Sequence, residues 1–312
     1  MFTYNSLSKR PYYFQRLTSV TPREFDEILD KFKSSWERYI RETFINGKKR
    51  ERAYGGGNTP RLQTLEDKLL FILAYVRMYP VLFLHGLIFN IAESNTCIWV
   101  HRLLPLLDEA LGYAHKRPVR GQGKSFKDLI NEFPELKELG VLGDGTERPI
   151  RRPKDKDKQK TSYSGKKKRH TRKNILLVNP TTTEVIYLGK TQDGSIHDKT
   201  VMEEENLTSG CRGDPPPIGL DLGFQGLTLS GFKLILPTKK PKGRELSDVQ
   251  KQQNKVLSSI RVKAEHAVCG VKRNRSVSDI YRNIKKGTDD LLISVACGLH
   301  NLRVAHRYSP SY

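Results

Sequence analysis

The segment Arg261-Val262-Lys263-Ala264-Glu265-His266-Ala267-Val268-Cys269-Gly270-Val271-Lys272 organises the second half of this 312-residue chain. At about 100° per residue, Ser258, Arg261, Glu265 and Lys272 fall on one narrow stripe of a helix, and apolar side chains fill the other side. In the simplest interpretation, Arg261 and Glu265 form a solvated ion pair that stabilises the helix by a few tenths of a kcal/mol. In the other, Glu265 is a functional carboxylate held among cations. The rest of the chain decides between them.

The charge of the chain points to a polyanionic partner. Its 55 Lys and Arg residues against 34 Asp and Glu residues leave a formal net charge of +21. Self-repulsion of this size opposes compaction unless a partner neutralises it, and nucleic acid is the leading candidate. The apolar content is adequate for a globular fold, which argues against wholesale disorder, and the length is typical of two domains.

The cysteines and the apolar segments exclude several other classes. The four cysteines are far apart and form no Cys-x-x-Cys pair, which argues against a zinc ribbon or a disulfide framework and favours a reducing compartment. The N-terminus shows no secretory signal pattern. The apolar stretch 69–91 is interrupted by Arg77, Pro80, His85 and Asn90, so we interpret it as two buried helices rather than a membrane span. We expect a cytoplasmic, nucleoid-associated protein without membrane contact.

The N-terminal third predicts an all-α domain. Thr21 with Glu24 forms a capping box in front of an apolar stripe, which predicts a helix over 22–43. Residues 46–62 are typical of a basic linker. Thr64 with Asp67 then begins a helix that runs to Pro80, and a third short helix covers 81–89.

A helix-turn-helix is predicted where this third helix meets the next one. A tight turn over 90–93 is followed by Ser94 as the N-cap of an apolar-striped helix. Helical hairpins also occur in bundles that bind no DNA, but the net charge favours DNA binding. The start of the recognition helix would then carry four candidate contacts: Ser94, Asn95, Thr96 and Trp99.

Residues 148–173 form a second candidate DNA contact. They contain thirteen Lys or Arg residues and two acids, or about half of the net charge of the chain. Such a run can be a solvated surface, but strands follow it directly, which favours binding to phosphates. The candidates at its centre are Lys166, Lys167, Lys168 and Arg169.

The second half of the chain carries three acids in a suggestive order. Asp144 ends an apolar strand, although Asp-Gly is also a common hairpin turn. Asp221 interrupts a buried strand, where an unpaired acid is costly, and Glu265 lies on the later helix. This order of strands, helices and acids is that of an RNase H-like core, in which three carboxylates would suit Mg²⁺. A pair of such ions stabilises both the attacking and the leaving oxygen in phosphoryl transfer.

The chain therefore predicts an α+β protein, with an all-α helix-turn-helix domain followed by an α/β RNase H-like catalytic core. The predicted divisions are an N-terminal arm over 1–20, a helical DNA-binding domain over 21–112, a linker over 113–135 and a catalytic domain over 136–308. The linker is placed at a basic stretch, 113–124, that Pro and Gly residues punctuate.

Five segments resemble the DDE transposases of bacterial insertion sequences, in the insertion-sequence family five group related to PIF/Harbinger transposases. They are Leu142-Gly143-Asp144-Gly145-Thr146, Tyr163-Ser164-Gly165-Lys166-Lys167, Gly194-Ser195-Ile196-His197-Asp198, Asp221-Leu222-Gly223-Phe224-Gln225-Gly226 and the opening segment. The family pattern in the last segment is Tyr, two residues, Arg, three residues, Glu, six residues, Lys. Arg261, Glu265 and Lys272 match it, and Ser258 stands where the family has Tyr.

The resemblance implies roles for these residues. Asp144, Asp221 and Glu265 would be the catalytic acids and bind two Mg²⁺ ions, with Mn²⁺ as a tolerated substitute. Arg261 and Lys272 would contact DNA phosphates near the scissile bond. His197 and Asp198 are candidates for a supporting role behind the metal ligands.

The implied activity is cleavage at the terminal inverted repeats of a mobile element, followed by attack of the freed 3′-hydroxyl on target DNA. The partners would be double-stranded DNA and a second copy of the chain, in a dimer or a higher oligomer. Two alternatives stay open: a domesticated DNA-binding protein without catalysis, and an RNase H-like nuclease that recognises DNA structure.

Overall fold

The computed structural model describes residues 2–47, 59–120, 126–205, 207, 216–229 and 231–308, with the side chains of 126–128 left out. Most of the predicted linker 46–62 lies outside these residues. The chain divides into two compact units. The helical unit contains Met1–Arg117, Lys272–Asp279 and Asn283–His306, and the sheet unit contains Pro118–Val271, Ile280–Arg282 and Arg307–Tyr312.

The secondary structure of the described residues confirms the predicted succession of helices and strands. The helices are α1 (Tyr4–Leu7), α2 (Pro11–Thr18), α3 (Pro22–Ile40), a π-helical turn (Arg41–Ile45), α4 (Leu65–Met78), α5 (Leu82–Phe89), α6 (Glu93–Tyr113), α7 (Phe126–Glu132), α8 (Leu136–Leu139), α9 (Lys156–Ser162), α10 (Asp198–Glu204), a 3-10 turn (Leu222–Phe224), α11 (Asp248–Lys272), α12 (Arg275–Ser278) and α13 (Thr288–Tyr308). The strands are β1 (Val119–Arg120), β2 (Val141–Pro149), β3 (Tyr163–Ser164), β4 (Arg169–Val178), β5 (Val185–Leu188), β6 (Gln192–Asp193), β7 (Ile218–Gly219) and β8 (Leu234–Ile235).

Local capping sets the starts of two helices as predicted. The Glu24 N–H donates to Thr21 Oγ1 at 3.3 Å and the Thr21 N–H donates to Glu24 Oε2 at 2.7 Å, which completes the capping box of α3. Asp67 donates its N–H to Thr64 Oγ1 at 3.1 Å at the start of α4. The predicted cap of α6 is wrong, because α6 begins at Glu93 and its N-cap, Ala92, makes no side-chain hydrogen bond.

Residues 1–20 are part of the helical core rather than an arm. They form α1 and α2, in which Leu7, Phe14 and Thr18 are buried. The Phe14 ring meets the Phe25 ring edge to face, with centroids 5.2 Å apart. Because α4 and α5 are separate helices, the apolar stretch 69–91 is two helices, as predicted. No helix within the described ranges is long and apolar enough to cross a membrane.

The last helix, α13, belongs to the core of the helical unit. A Cβ placed on Gly298 would lie 3.0 Å from Leu111 Cδ1, so α13 and α6 pack closely there. Asn301 Nδ2 donates to the Lys116 carbonyl at 2.8 Å, and an Arg303 guanidinium N–H donates to Ser19 Oγ at 2.9 Å. The sequence-based division placed this helix in a catalytic domain over 136–308; its packing places it with the N-terminal helices.

The sheet unit is built on one mixed sheet with strand order β1-β5-β4-β2-β7-β8, and β3 and β6 also pair with β4. Strand β4 is antiparallel to both β2 and β5, so the predicted hairpin over 174–188 is confirmed. Strand β7 runs parallel to β2, and β8 runs parallel to β7. The predicted linker 113–135 instead supplies β1, parallel to β5, and helix α7 with its buried Leu129.

The core of the sheet unit lies where α10 and the loop after β7 cover the sheet. Its largest members include Ile175, Leu177, Tyr187, Val201, Met202, Ile218, Leu220 and Phe224. The buried side chains of helix α11, Ala264, Ala267 and Val271, are small. It is also tied to the segment after β8, because Asn254 hydrogen bonds to both the N–H and the carbonyl of Thr238, at 2.8 and 2.9 Å.

Truncation of a buried side chain in α13 should destabilise the helical unit. Leu302 is fully buried, so Leu302→Ala should lower the free energy of unfolding by about 3 kcal/mol, because it removes buried apolar surface and leaves a residual cavity. Both tryptophans, Trp36 and Trp99, lie in this unit, so denaturant unfolding followed by tryptophan fluorescence measures the effect.

The matched control is Ile284→Ala, which removes an apolar side chain that is 96% exposed. It should change the same unfolding free energy by less than about 0.5 kcal/mol. An equal effect of the two substitutions would contradict the placement of α13 in this core.

Candidate active site

Asp144 lies on β2, in the interior of the sheet. It pairs across the antiparallel ladder with Leu176. The Gly145 N–H donates to Asp144 Oδ1 at 2.9 Å. The carboxylate is therefore held on a rigid strand and not in the hairpin turn that Asp-Gly also permits.

Asp221 follows the neighbouring parallel strand, β7, which ends at Gly219, so the prediction that Asp221 interrupts a buried strand is wrong. It is the N-cap of the 3-10 turn after β7, and its Oδ1 accepts from the Gly223 N–H at 2.8 Å. In the parallel ladder of β2 and β7, Leu142 pairs with Gly219. Asp144 and Asp221 each follow this pair by two residues, so the two acids lie side by side.

The two aspartates interact electrostatically. The pKa of Asp144 is raised to about 6, first by burial and then by the negative charge of Asp221. The hydrogen bond from Gly145 and the charge of Arg261 act in the opposite direction. A buried carboxylate whose ionisation is disfavoured by a neighbouring carboxylate is a group that a cation would stabilise.

Arg261 faces this pair. Its guanidinium lies 4.0 Å from Asp221 Oδ2, with only 18% of the side chain exposed. Its Nε is buried and has no hydrogen-bond partner within the described part of the chain. Arg261 thus pairs with Asp221 and not with Glu265, contrary to the simple interpretation of the helix stripe.

The other residues of the stripe lie elsewhere on α11. Glu265 and Ser258 are exposed. Lys272 is the last residue of the helix and clusters with the helical unit. Of the four stripe residues, Arg261 forms an ion pair with one of the two aspartates within the described ranges.

A third acid, Asp198, lies beside the pair. Its carboxylate is close to the backbone at Gly145 and Gly223, and its charge adds to the upward shift in the pKa of Asp144. Lys173 Nζ lies 2.9 Å from Asp198 Oδ1. His197, the N-cap of α10, is exposed and makes no side-chain capping bond.

Part of this site has the carboxylate oxygens that a divalent cation needs as ligands. Asp144 and Asp221 are oxygen ligands of the kind Mg²⁺ prefers. Across the described ranges, however, no three His, Cys, Asp or Glu side chains are arranged to hold a metal ion. The Asp144 and Asp221 carboxylates could therefore bind the ion, whereas Glu265 is exposed on α11 and is not grouped with them.

The basic run 148–173 separates into exposed and buried parts. Its centre is the tip of the β3–β4 hairpin, where Lys166, Lys167, Lys168 and Arg169 are exposed. Ser164 Oγ accepts from the Lys167 N–H at 3.2 Å, and Lys168 has a left-handed backbone with φ of 51°. By contrast, Arg148 and Lys173 are buried. Sequence reasoning missed this inward role, although the alternation of side chains along a strand could have indicated it.

The four candidate contacts of the predicted recognition helix differ in their exposure to solvent. Ser94 and Asn95 are exposed near its start. Thr96 is buried, and its hydroxyl donates to the Ala92 carbonyl at 3.1 Å. Trp99 stacks on Trp36 with centroids 6.2 Å apart. Thr96 and Trp99 therefore hold the helix in place, and Ser94 and Asn95 present polar groups to solvent.

Comparisons with known proteins agree with both parts of the chain. Residues 143–301 match the family described as DDE superfamily endonuclease, and residues 60–112 match the helix-turn-helix of DDE superfamily endonuclease. The chain is 30% identical over 293 residues to the probable transposase for insertion sequence element IS702 of Microchaete diplosiphon, covering 94% of each chain. No solved structure matches. The predicted helix-turn-helix is thereby confirmed, and the chain belongs to the DDE superfamily endonucleases and has the role of a transposase.

Proposed function

We propose that this transposase binds the terminal inverted repeats of its element and carries out metal-dependent cleavage and strand transfer at Asp144, Asp221 and Glu265. The observation that carries the proposal is that Asp144 and Asp221 lie side by side, two residues beyond the pair Leu142–Gly219, close enough for one charge to shift the pKa of the other. We also propose the finer assignment to the insertion-sequence family five group.

The catalytic core is proposed to be RNase H-like. Support comes from the strand order β5-β4-β2-β7-β8, with an antiparallel three-stranded part joined to two further strands parallel to β2. The first acid lies on the central strand of this order and the second follows the adjacent strand. The third acid is on a later helix, α11.

Mg²⁺ is the proposed cofactor, as two ions per site, with Mn²⁺ as a substitute. Asp144 and Asp221 would hold the ions, and Glu265 would join them in the complex with DNA. Bound ions would activate the attacking oxygen and stabilise the leaving oxygen. Arg261 would neutralise Asp221 in the free protein, and its buried Nε, which has no hydrogen-bond partner among the described residues, would donate to a phosphate oxygen once DNA is bound.

DNA contacts are proposed on both units. Ser94 and Asn95 would contact base edges, since they are exposed at the start of the matched helix-turn-helix. The hairpin tip over 166–169 would bind phosphates, and Arg261 and Lys272 would contact the strand near the scissile bond. Two element ends must be joined, so we propose a dimer or higher oligomer on DNA, acting at the nucleoid.

The first prediction concerns catalysis. With Mg²⁺ and a labelled DNA end taken from the sequence that flanks the coding region, Asp144→Asn, Asp221→Asn and Glu265→Gln should each lower the cleavage rate at least about 100-fold, since each removes a charge that stabilises the reacting groups. Glu203→Gln is the control, because Glu203 pairs with Lys199 on the partly exposed side of α10. Full activity of Glu265→Gln would remove Glu265 from the site. Specific binding with no cleavage by the unmodified chain would favour the domesticated DNA-binding protein.

The second prediction concerns the charge of Asp144. Its raised pKa means that the folded, metal-free protein retains a proton that the unfolded chain releases near pH 4. The stability from this proton is complete below about pH 4 and is lost as the pH rises through about 6. Asp144→Asn should therefore raise the free energy of unfolding of the sheet unit by about 3 kcal/mol at pH 7.

The measurement is denaturant unfolding in the presence of EDTA, with hydrogen exchange of the backbone amides in the sheet as the probe. Asp248→Asn serves as the control, because that carboxylate is 99% exposed and its replacement should have little effect. An identical pH dependence in Asp144→Asn and the unmodified protein would contradict the prediction.

The third prediction concerns the hairpin tip. Replacing Lys166, Lys167 and Lys168 by Gln should weaken DNA binding equally for specific and non-specific sequences. The slope of log affinity against log salt should fall by about 0.9 for each phosphate that the tip no longer neutralises. Replacing the exposed Lys9 and Lys33 by Gln is the control. An unchanged slope in the hairpin variant would show that the tip is only a solvated surface.

A further inference from the structure

The Asp198 carboxylate occupies the space between the two backbone segments that carry the site acids. A Cβ placed on Gly145 would lie 2.8 Å from Asp198 Oδ1, and a Cβ placed on Gly223 would lie 3.2 Å from Asp198 Oδ2. Gly145 directly follows Asp144, and Gly223 donates its N–H to Asp221. Asp198 therefore touches both acid-bearing segments at once, and only glycine leaves room for it at position 145.

Lys173 holds Asp198 in this place from the sheet. Its Nζ lies 2.9 Å from Asp198 Oδ1 and donates a hydrogen bond to the Ile196 carbonyl at 2.7 Å. Both side chains are largely buried, with 7% of Lys173 and 17% of Asp198 exposed. The contact with Oδ1 lacks hydrogen-bond geometry, so it is an ion pair.

The ion pair is anchored at its other end by Glu147. Lys173 Nζ lies 3.8 Å from Glu147 Oε1, and the two residues are directly paired across β2 and β4. Glu147 in turn accepts a hydrogen bond from Thr171 Oγ1 at 2.8 Å. A continuous set of contacts thus runs from the strand that carries Asp144 through Lys173 to the first residue of α10.

Asp198 is poorly placed to be a further metal ligand. Its Oδ1 is already neutralised by Lys173, and within the described ranges no three carboxylates are arranged around a common point. We propose that Asp198, held by Lys173, is a positioning residue that sets the separation of Asp144 and Asp221 and so their affinity for a divalent cation. This inference rests on the proposed metal-dependent function. Partners behind metal ligands commonly change metal affinity or activity 10- to 100-fold when they are replaced.

The experiment measures Mn²⁺ binding to the full-length protein by electron paramagnetic resonance, together with thermal unfolding. The variants are Asp198→Asn, Lys173→Gln and the double variant, which keep side-chain volume while removing one charge or both. Glu203→Gln, on the same helix as Asp198, is the control. Asp221→Asn reports the loss of a proposed ligand.

If Asp198 positions the pair, each single variant should weaken Mn²⁺ binding about 10- to 100-fold. The double variant should recover most of the affinity, because neither a lone Asp198 carboxylate nor a lone Lys173 ammonium then remains beside the pair, and Glu147 keeps its hydrogen bond from Thr171 Oγ1. If a single variant fails to fold, the Mn²⁺ affinity of the double variant still tests the inference.

Two outcomes would overturn the inference. If Asp198 were a ligand, Lys173→Gln would tighten Mn²⁺ binding by freeing the carboxylate, and the double variant would bind as poorly as Asp198→Asn. If the ion pair were only structural, the melting temperature would fall with no change in Mn²⁺ affinity. Failure of the proposed function is distinct, because then the unmodified protein would bind no Mn²⁺ or Asp221→Asn would bind it equally well.

Discussion

The repulsion between two carboxylates on neighbouring strands is the constraint on which the sheet unit depends. Asp144 and Asp221 lie side by side beyond the paired residues Leu142 and Gly219, and burial together with the charge of Asp221 raises the pKa of Asp144. The parallel pairing of β2 and β7 brings them together, and α11 supplies Arg261 against Asp221. A divalent cation would relieve this repulsion most directly, and folding without one leaves Asp144 with a raised pKa.

The large positive charge of the chain serves two physical purposes. Along β2 and β4, side chains alternate between the two faces of the sheet, so residues close in sequence reach different surroundings. Lys173 is buried as a counter-ion to Asp198 and Glu147, and Arg148 is buried against Asn174. By contrast, the turn of the β3–β4 hairpin presents its cations to solvent. Net charge indicates a polyanionic partner, but it does not distinguish the exposed cations of the basic run from the buried Arg148 and Lys173.

The C-terminal helix α13 belongs to the same unit as the N-terminal helices, so the units of the structure are not continuous segments of the sequence. Helix α13 supplies buried side chains and hydrogen bonds to the helical unit, including those of Asn301 and Arg303. The matched endonuclease segment, 143–301, therefore ends within a helix that stabilises the helix-turn-helix. Deleting either end of the sequence would remove part of one core. Point substitutions are consequently a cleaner way than truncation to separate DNA recognition from cleavage in this protein.

The sequence by itself determined the elements that depend on local physics. Neighbouring residues are enough to predict the caps at Thr21 and Thr64, the helix carrying Arg261, and the hairpin of β4 and β5. The sequence also gives the order of Asp144, Asp221 and Glu265. Tertiary structure alone decided the burial of Thr96, the placement of α13, the pairing of Arg261 with Asp221 and the position of Asp198 between two glycines. The reason is that a charged or apolar side chain has many chemically equivalent partners along the chain. Only strand register and helix packing determine which of them lies within a few ångströms.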